Sequence, residues 1–178
     1  QVLPGWSHHG NENWCMIGYH AVPVIADAWV KGVRGFDPGR ALKACVTTAT
    51  RGFYQGIGDY ERLGFVPEDK TGSSASITLE YAYDDYAIAM LARSLGEEKT
   101  AAGFLKRSRN FEYLMDPLTG FIRPRNSDGS WKTPFDPLNT HGQGFIEGNA
   151  WNYSYYVPQD IPALIRFAGG DKRFTEHL

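Results

Sequence analysis

Residues 76–95, "SITLEYAYDDYAIAMLARSL", constrain the fold of this chain more than any other stretch. They read as a helix, with Ser73 or Ser76 available as the N-cap and Gly96 placed to close the C-terminus. The body is apolar and aromatic (Tyr81, Tyr83, Tyr86, Ile88, Met90), yet it carries three carboxylates. Glu80 and Asp84 stand four apart and share a face, while Asp85 is turned away from Asp84 by about 100°. Burying unpaired carboxylates is costly, so these acids need partners. Two readings are open. They bond backbone groups of neighbouring loops or pair with Arg, for which Arg123 and Arg125 are candidates, or they contact a ligand directly.

The rest of the chain repeats the helical theme. Residues 15–31 form a long apolar segment in which Pro23 marks a kink or a late start. Asp37 and Pro38 are an N-cap and first-turn pair for a second helix to about Tyr54. "GIGDYERLGFVPEDKTGSS" reads as a loop. A further helix covers Glu97 to Tyr113, residues 116–146 are loops and short extended pieces, and a helix follows from Gln159 to Ala168. No βαβ alternation and no internal repeat is visible, so the fold class is all-α, built from antiparallel helical hairpins with long loops. Loops of this length are uncommon unless they act. At 178 residues the chain has the size of one domain, and its 14% aromatic content suits both a core and sugar faces. The net charge of −2 comes without a basic stripe, which argues against nucleic acid. No apolar run approaches a membrane span. Cys15 and Cys45 lack zinc spacing and read as two buried free thiols.

The stretch "FIEGNAWNYSYYVPQD" at 145–160 holds a lone acid, Glu147, in an aromatic run. An aromatic surround would disfavour its charge and raise its pKa, as a general acid needs. The structural alternative is a Glu that accepts a loop N–H, and one Glu near a Trp does not decide between them. The histidines form no metal spacing. His20 reads as a satisfied helix histidine, and no GxSxG elbow or dinucleotide fingerprint occurs.

Taken together, "CMIGYHAVPVIADAWVKGVRGFD", "TLEYAYDDYAIAMLA", "GFIRPRNSDGSWKTPFDP" and "IEGNAWNYSYYVPQD", in this order, resemble glycoside hydrolase family 92, the calcium-dependent, inverting exo-α-mannosidases. The resemblance covers essentially the whole chain. It implies that residues 1–178 are a fragment of a catalytic domain built as an (α/α)6 barrel, after an N-terminal β-sandwich and before the C-terminal part of the barrel. It places the general acid at Glu147. The base belongs to a later Gly-Asn-Asp-Asp motif, so the 178 residues alone are expected to be inactive. Ca2+ is the implied cofactor, with ligands mostly outside the fragment. Trp14, Trp151 and Tyr153 become candidate aromatic walls or supports, and Asp84 and Asp85 candidate polar contacts to substrate. The implied partners are mannose-containing glycans, most often α-1,2-linked in this family, and the rest of the same chain. The start at Gln1 and a final helix still in progress agree with an excerpt whose leader is gone, hence a periplasmic or extracellular location. "AWNYSYYVPQD" departs from the expected "AWQYSWFVPHD" at Asn152, Tyr155, Tyr156 and Gln159, which touches specificity more than mechanism. The alternative is a non-catalytic carbohydrate-binding or scaffold domain on the same fold.

Overall fold

The structure is a computed structural model and describes residues 2–13 and 15–178. A short antiparallel pair, β1 (Ser7–His8) and β2 (Asn11–Glu12), precedes five helices: α1 (Ala21–Val30), α2 (Pro38–Ala49), α3 (Ile57–Leu63), α4 (Ser74–Ser94) and α5 (Glu98–Arg107). A 3-10 turn at Asn110–Leu114 leads into the hairpin β3 (Met115–Asp116) and β4 (Phe121–Ile122). A long irregular segment then reaches α6 (Ala150–Tyr153), α7 (Ile161–Ala168) and α8 (Asp171–His177). The class is all-α, as expected. Among the described residues no helix is long and apolar enough to cross a membrane.

The central helix α4 is buried nearly all round because it serves two cores. Ile77, Tyr81, Ile88 and Leu91 join a cluster with Tyr19, Val22, Cys45, Ile57, Tyr60 and Phe104. Ala75, Leu79 and Ala82 join another with Phe111, Leu114, Ile122, Phe145, Val157 and Leu164. A helix that is apolar on all sides is a core helix, and only the packing of α1, α2 and α5 against one side and the 145–164 segment against the other allows it.

Several local expectations hold and several are corrected. The Asp37 side chain accepts from the Arg40 N–H at 3.0 Å, with Pro38 at the first helical position. Pro23 does mark a late start: α1 begins at Ala21 and not near Cys15. Cys15 therefore lies outside the helix and is exposed, while Cys45 is buried, so only one of the two thiols behaves as a core residue. The second helix ends at Ala49. The stretch read as a loop contains α3, seven residues closed by Gly56 and Gly64 in the left-handed region, with Ile57 and Tyr60 turned inward. Such a short helix offers too little periodicity to stand out beside its glycines. The segment from Glu97 is two elements, α5 and the 3-10 turn, and the last long helix starts at Ile161, capped by Asp160.

The start of α4 positions the site. Ser73 occupies the cap position but makes no side-chain cap bond. The Gly144 carbonyl accepts instead, from the Ala75 and Ser76 N–H groups at 3.0 and 3.2 Å. Gly144 sits at φ +81°, and a Cβ there would lie 2.3 Å from Pro124 Cγ. Gly144→Ala should cost about 1–3 kcal/mol for the left-handed backbone alone. A lowered thermal midpoint in a natural chain carrying these residues checks this, and an unchanged midpoint would contradict it.

Candidate active site

Glu147 follows this cap on a loop, and its own backbone is left-handed at φ 51°. A non-glycine residue held there is strained, and the strain persists only because the surroundings over-determine it. Three devices do so. The Ile146 N–H donates to Ser76 Oγ at 3.1 Å and the Ile146 carbonyl accepts from the Tyr153 hydroxyl at 2.8 Å. Gly148 packs under the Tyr153 ring, where a Cβ would meet Cε2 at 3.1 Å. Asn149 and Asn152 close a reciprocal capping box on α6. Asn152, one of the departures from the family pattern, is thus the residue that locks the loop from behind.

The Glu147 side chain is exposed, and its carboxylate has no hydrogen bond or ion pair among the described residues. Among the described residues the aromatic side chains of the motif do not enclose it, because they point elsewhere. Trp151 and Tyr153 are two residues apart on α6, hence on opposite sides at about 100° per residue. Trp151 stays 36% exposed and packs edge-on to Phe121 with the His177 ring stacked beyond it. Tyr153 turns toward α4, stacks on Phe145 at 5.5 Å and meets Tyr156 edge-on. The wall is a buttress behind the acid. Trp14 lies outside the described residues.

Below the loop, the α4 carboxylates are partnered, but not by Arg123 and Arg125. Arg123 ties the long segment together through Asp116 and the Lys132 carbonyl, and Arg125 stacks on Trp131 at 3.9 Å. Asp84 is fully buried and accepts from the Tyr19 N–H at 2.8 Å and from His20 Nδ1 at 3.0 Å. Asp85 is fully buried and accepts from the Tyr19 hydroxyl at 2.7 Å, the Tyr60 hydroxyl at 3.0 Å and Arg107 Nε at 2.9 Å. Burial lifts the Asp85 carboxyl, and Arg107 with the two tyrosines limits the rise to about 6. The assignment of Asp84 and Asp85 as substrate contacts is therefore corrected: both are sealed from solvent and bind protein groups that hold the 16–20 segment and α5 in place.

Glu80 differs. Its side chain is partly open, and Oε2 accepts from the Tyr156 hydroxyl at 2.7 Å and from His20 Nε2 at 3.1 Å. His20 thus bridges two carboxylates. Burial works against its charge, but the hydrogen bonds to Asp84 and Glu80 prevail and push it up to about 10. His20, Glu80 and Tyr156 were not picked out as site residues from the sequence. The signal available for Glu80 was its spacing with Asp84, but nothing in the sequence showed that residue 20 lies across from that pair. Among the described residues no group of three or more His, Cys, Asp or Glu side chains is arranged to hold a metal ion. Asp84 and Asp85 spend both oxygens on protein groups, which leaves one oxygen of Glu80 as the open carboxylate atom of α4.

The family model for the glycosyl hydrolase family 92 catalytic domain matches residues 1–178. The chain belongs to glycosyl hydrolase family 92. A solved family GH92 α-mannosidase from Bacteroides thetaiotaomicron is 47% identical with a TM-score of 0.94, over 99% of this chain and 23% of its own. A family GH92 inverting mannosidase from the same species is 31% identical with a TM-score of 0.91, over 99% of this chain and 25% of its own. An uncharacterized secreted glycosidase from Arthroderma benhamiae is 28% identical over 90% of this chain and 26% of its own length. The chain spans about a quarter of the length of these relatives. Its helices are part of the (α/α)6 barrel of the family.

Proposed function

We propose that this chain is the acid-bearing portion of an inverting exo-α-mannosidase that removes terminal mannose from glycans. The observation that carries the reading is Glu147: the residue that the sequence resemblance implies as the acid sits on a strained and buttressed loop, exposed, and with no hydrogen bond or ion pair among the described residues. Family membership over the full 178 residues and the relatives named as an α-mannosidase and an inverting mannosidase support it.

In this scheme Glu147 donates its proton to the departing glycosidic oxygen. A second carboxylate, from a part of the natural chain outside these residues, draws a proton from water on the opposite face of the sugar. That arrangement needs a separation of about 6.5–9.5 Å between the two carboxyl groups. Held by the capping box and by Tyr153, the loop fixes the acid before substrate arrives, so little orientation is lost at the transition state. The N-terminal β-sandwich, the rest of the barrel and a calcium ion bound by residues outside 1–178 complete the proposed enzyme, and no step here runs through the metal. An α-1,2 linkage preference and export from the cytoplasm belong to the same proposal, the latter in line with the relative named as secreted.

The test is proton NMR of the first-formed product when a natural chain carrying these residues acts on α-1,2-mannobiose. β-Mannose should appear first and mutarotate later. α-Mannose first would overturn inversion. Binding of mannosides without release would favour the non-catalytic reading.

A further inference from the structure

Resting on the mannosidase reading, we infer that Glu80 is a sugar-hydroxyl acceptor in the same pocket as Glu147, and that His20 is its positioning residue. The three carboxylates of α4 separate by how many oxygens they spend. Asp84 uses Oδ1 for His20 and Oδ2 for the Tyr19 N–H. Asp85 uses Oδ1 for Tyr19 and Oδ2 for Tyr60 and Arg107. Those are structural ties. Glu80 spends only Oε2, on His20 and Tyr156. Its Oε1 has no partner among the described residues, and it is not one of the buried polar atoms left unsatisfied, so it reaches solvent.

The anchoring is more elaborate than a free surface carboxylate needs. Asp84, immobilised by the Tyr19 backbone, orients the His20 ring, and the ring in turn orients Glu80. Gly18 makes room for this ring: at φ +81°, a Cβ there would stand 2.6 Å from His20 Nε2. The array also borders the acid loop. Tyr153 links the two: its hydroxyl donates to the Ile146 carbonyl beside Glu147, and its ring meets that of Tyr156, whose hydroxyl donates to Glu80. An oriented carboxylate oxygen beside tyrosine rings, near a proton donor, has the chemistry that accepts hydrogen bonds from the hydroxyls of a pyranose. His20, held by Asp84 and Glu80 of α4, keeps its proton through neutral pH, so the acceptor stays paired and aimed.

The experiment uses the natural chain carrying these residues, with Glu80→Gln and, as a variant that keeps both carboxylates, Tyr156→Phe. Each is assayed on aryl α-mannosides and on their 2-, 3-, 4- and 6-deoxy analogues. Glu80→Gln should lower kcat/KM about 10- to 100-fold on the parent substrate, as expected when one hydrogen bond to a charged group is lost. The loss should vanish on the one deoxy analogue that lacks the accepted hydroxyl. Tyr156→Phe should show a smaller loss with the same analogue dependence. In His20→Gln the loss should fall chiefly on KM, again with the same dependence. Equal losses on every analogue in all three variants would make the array structural and overturn the inference. Wild-type protein that releases no mannose from any substrate would instead overturn the mannosidase reading on which it rests.

Discussion

Glu147→Gln in a natural chain carrying these residues should slow hydrolysis of unactivated mannosides by about 10²–10⁴-fold, the usual contribution of a positioned general acid. Aryl mannosides with good leaving groups should lose far less, because their departing oxygen needs little protonation. The amide keeps the shape of the side chain and removes only the transferable proton. The structure makes this a clean substitution. Glu147 is exposed and has no hydrogen bond among the described residues, so the change disturbs no packing. The groups that hold the loop, Ser76, Tyr153 and the Asn149–Asn152 box, act on the backbone and on neighbouring residues. Thermal stability should therefore stay at the wild-type value while turnover falls. Steady-state kinetics on a leaving-group series checks the prediction, and equal loss on activated and unactivated substrates would remove Glu147 from the role of acid.

What was legible in the sequence follows from the range of the interactions. The Asp37 cap and Pro38 are local and were readable, as was the closure of α4 at Gly96, which adopts φ +76°. Ser73 does hold the cap position of α4, but the acceptor there is the Gly144 carbonyl, seventy residues downstream, and no local residue signals that. The carboxylates do need partners, but Arg123 and Arg125 are not those partners. Arg107 reaches Asp85 because α5 folds back on α4, and His20 reaches Asp84 and Glu80 because the turn before α1 crosses α4. Such pairs are set by packing. Glu147 could be placed only by its motif. Its environment could not be inferred, since the aromatic residues around it in sequence turn away from it in space.

The buried network should dominate stability. Asp85→Ala would remove the buried acceptor shared by Arg107 Nε and the Tyr19 and Tyr60 hydroxyls, leaving the hydroxyls only the Tyr81 and Arg107 carbonyls and leaving Arg107 only the longer, more exposed ion pair to Glu61 at 3.4 Å. Removing one partner of a buried ion pair costs about 3–5 kcal/mol, mostly because the remaining charge stays desolvated. Arg107 cannot readily swing out: its Nη2 is held by the Ala49 carbonyl at 2.9 Å, and its guanidinium lies over the Tyr60 and Phe104 rings. A surface pair is the control. Asp27 and Lys31 lie one turn apart on α1 and are both largely exposed, so Asp27→Ala should change stability by no more than about 1 kcal/mol. Denaturant unfolding of natural chains carrying each substitution, followed by far-UV circular dichroism, separates the two: a large drop in midpoint for Asp85→Ala and little change for Asp27→Ala. Equal midpoints would mean that Asp85 is not the joint between α3, α4, α5 and the 16–20 segment. If the joint is as described, loosening it should also reach the site, because Tyr19 shares that segment with His20 and both are held by Asp84. Mannosidase activity in Asp85→Ala should then be lost at a lower temperature than in the wild type, ahead of global unfolding.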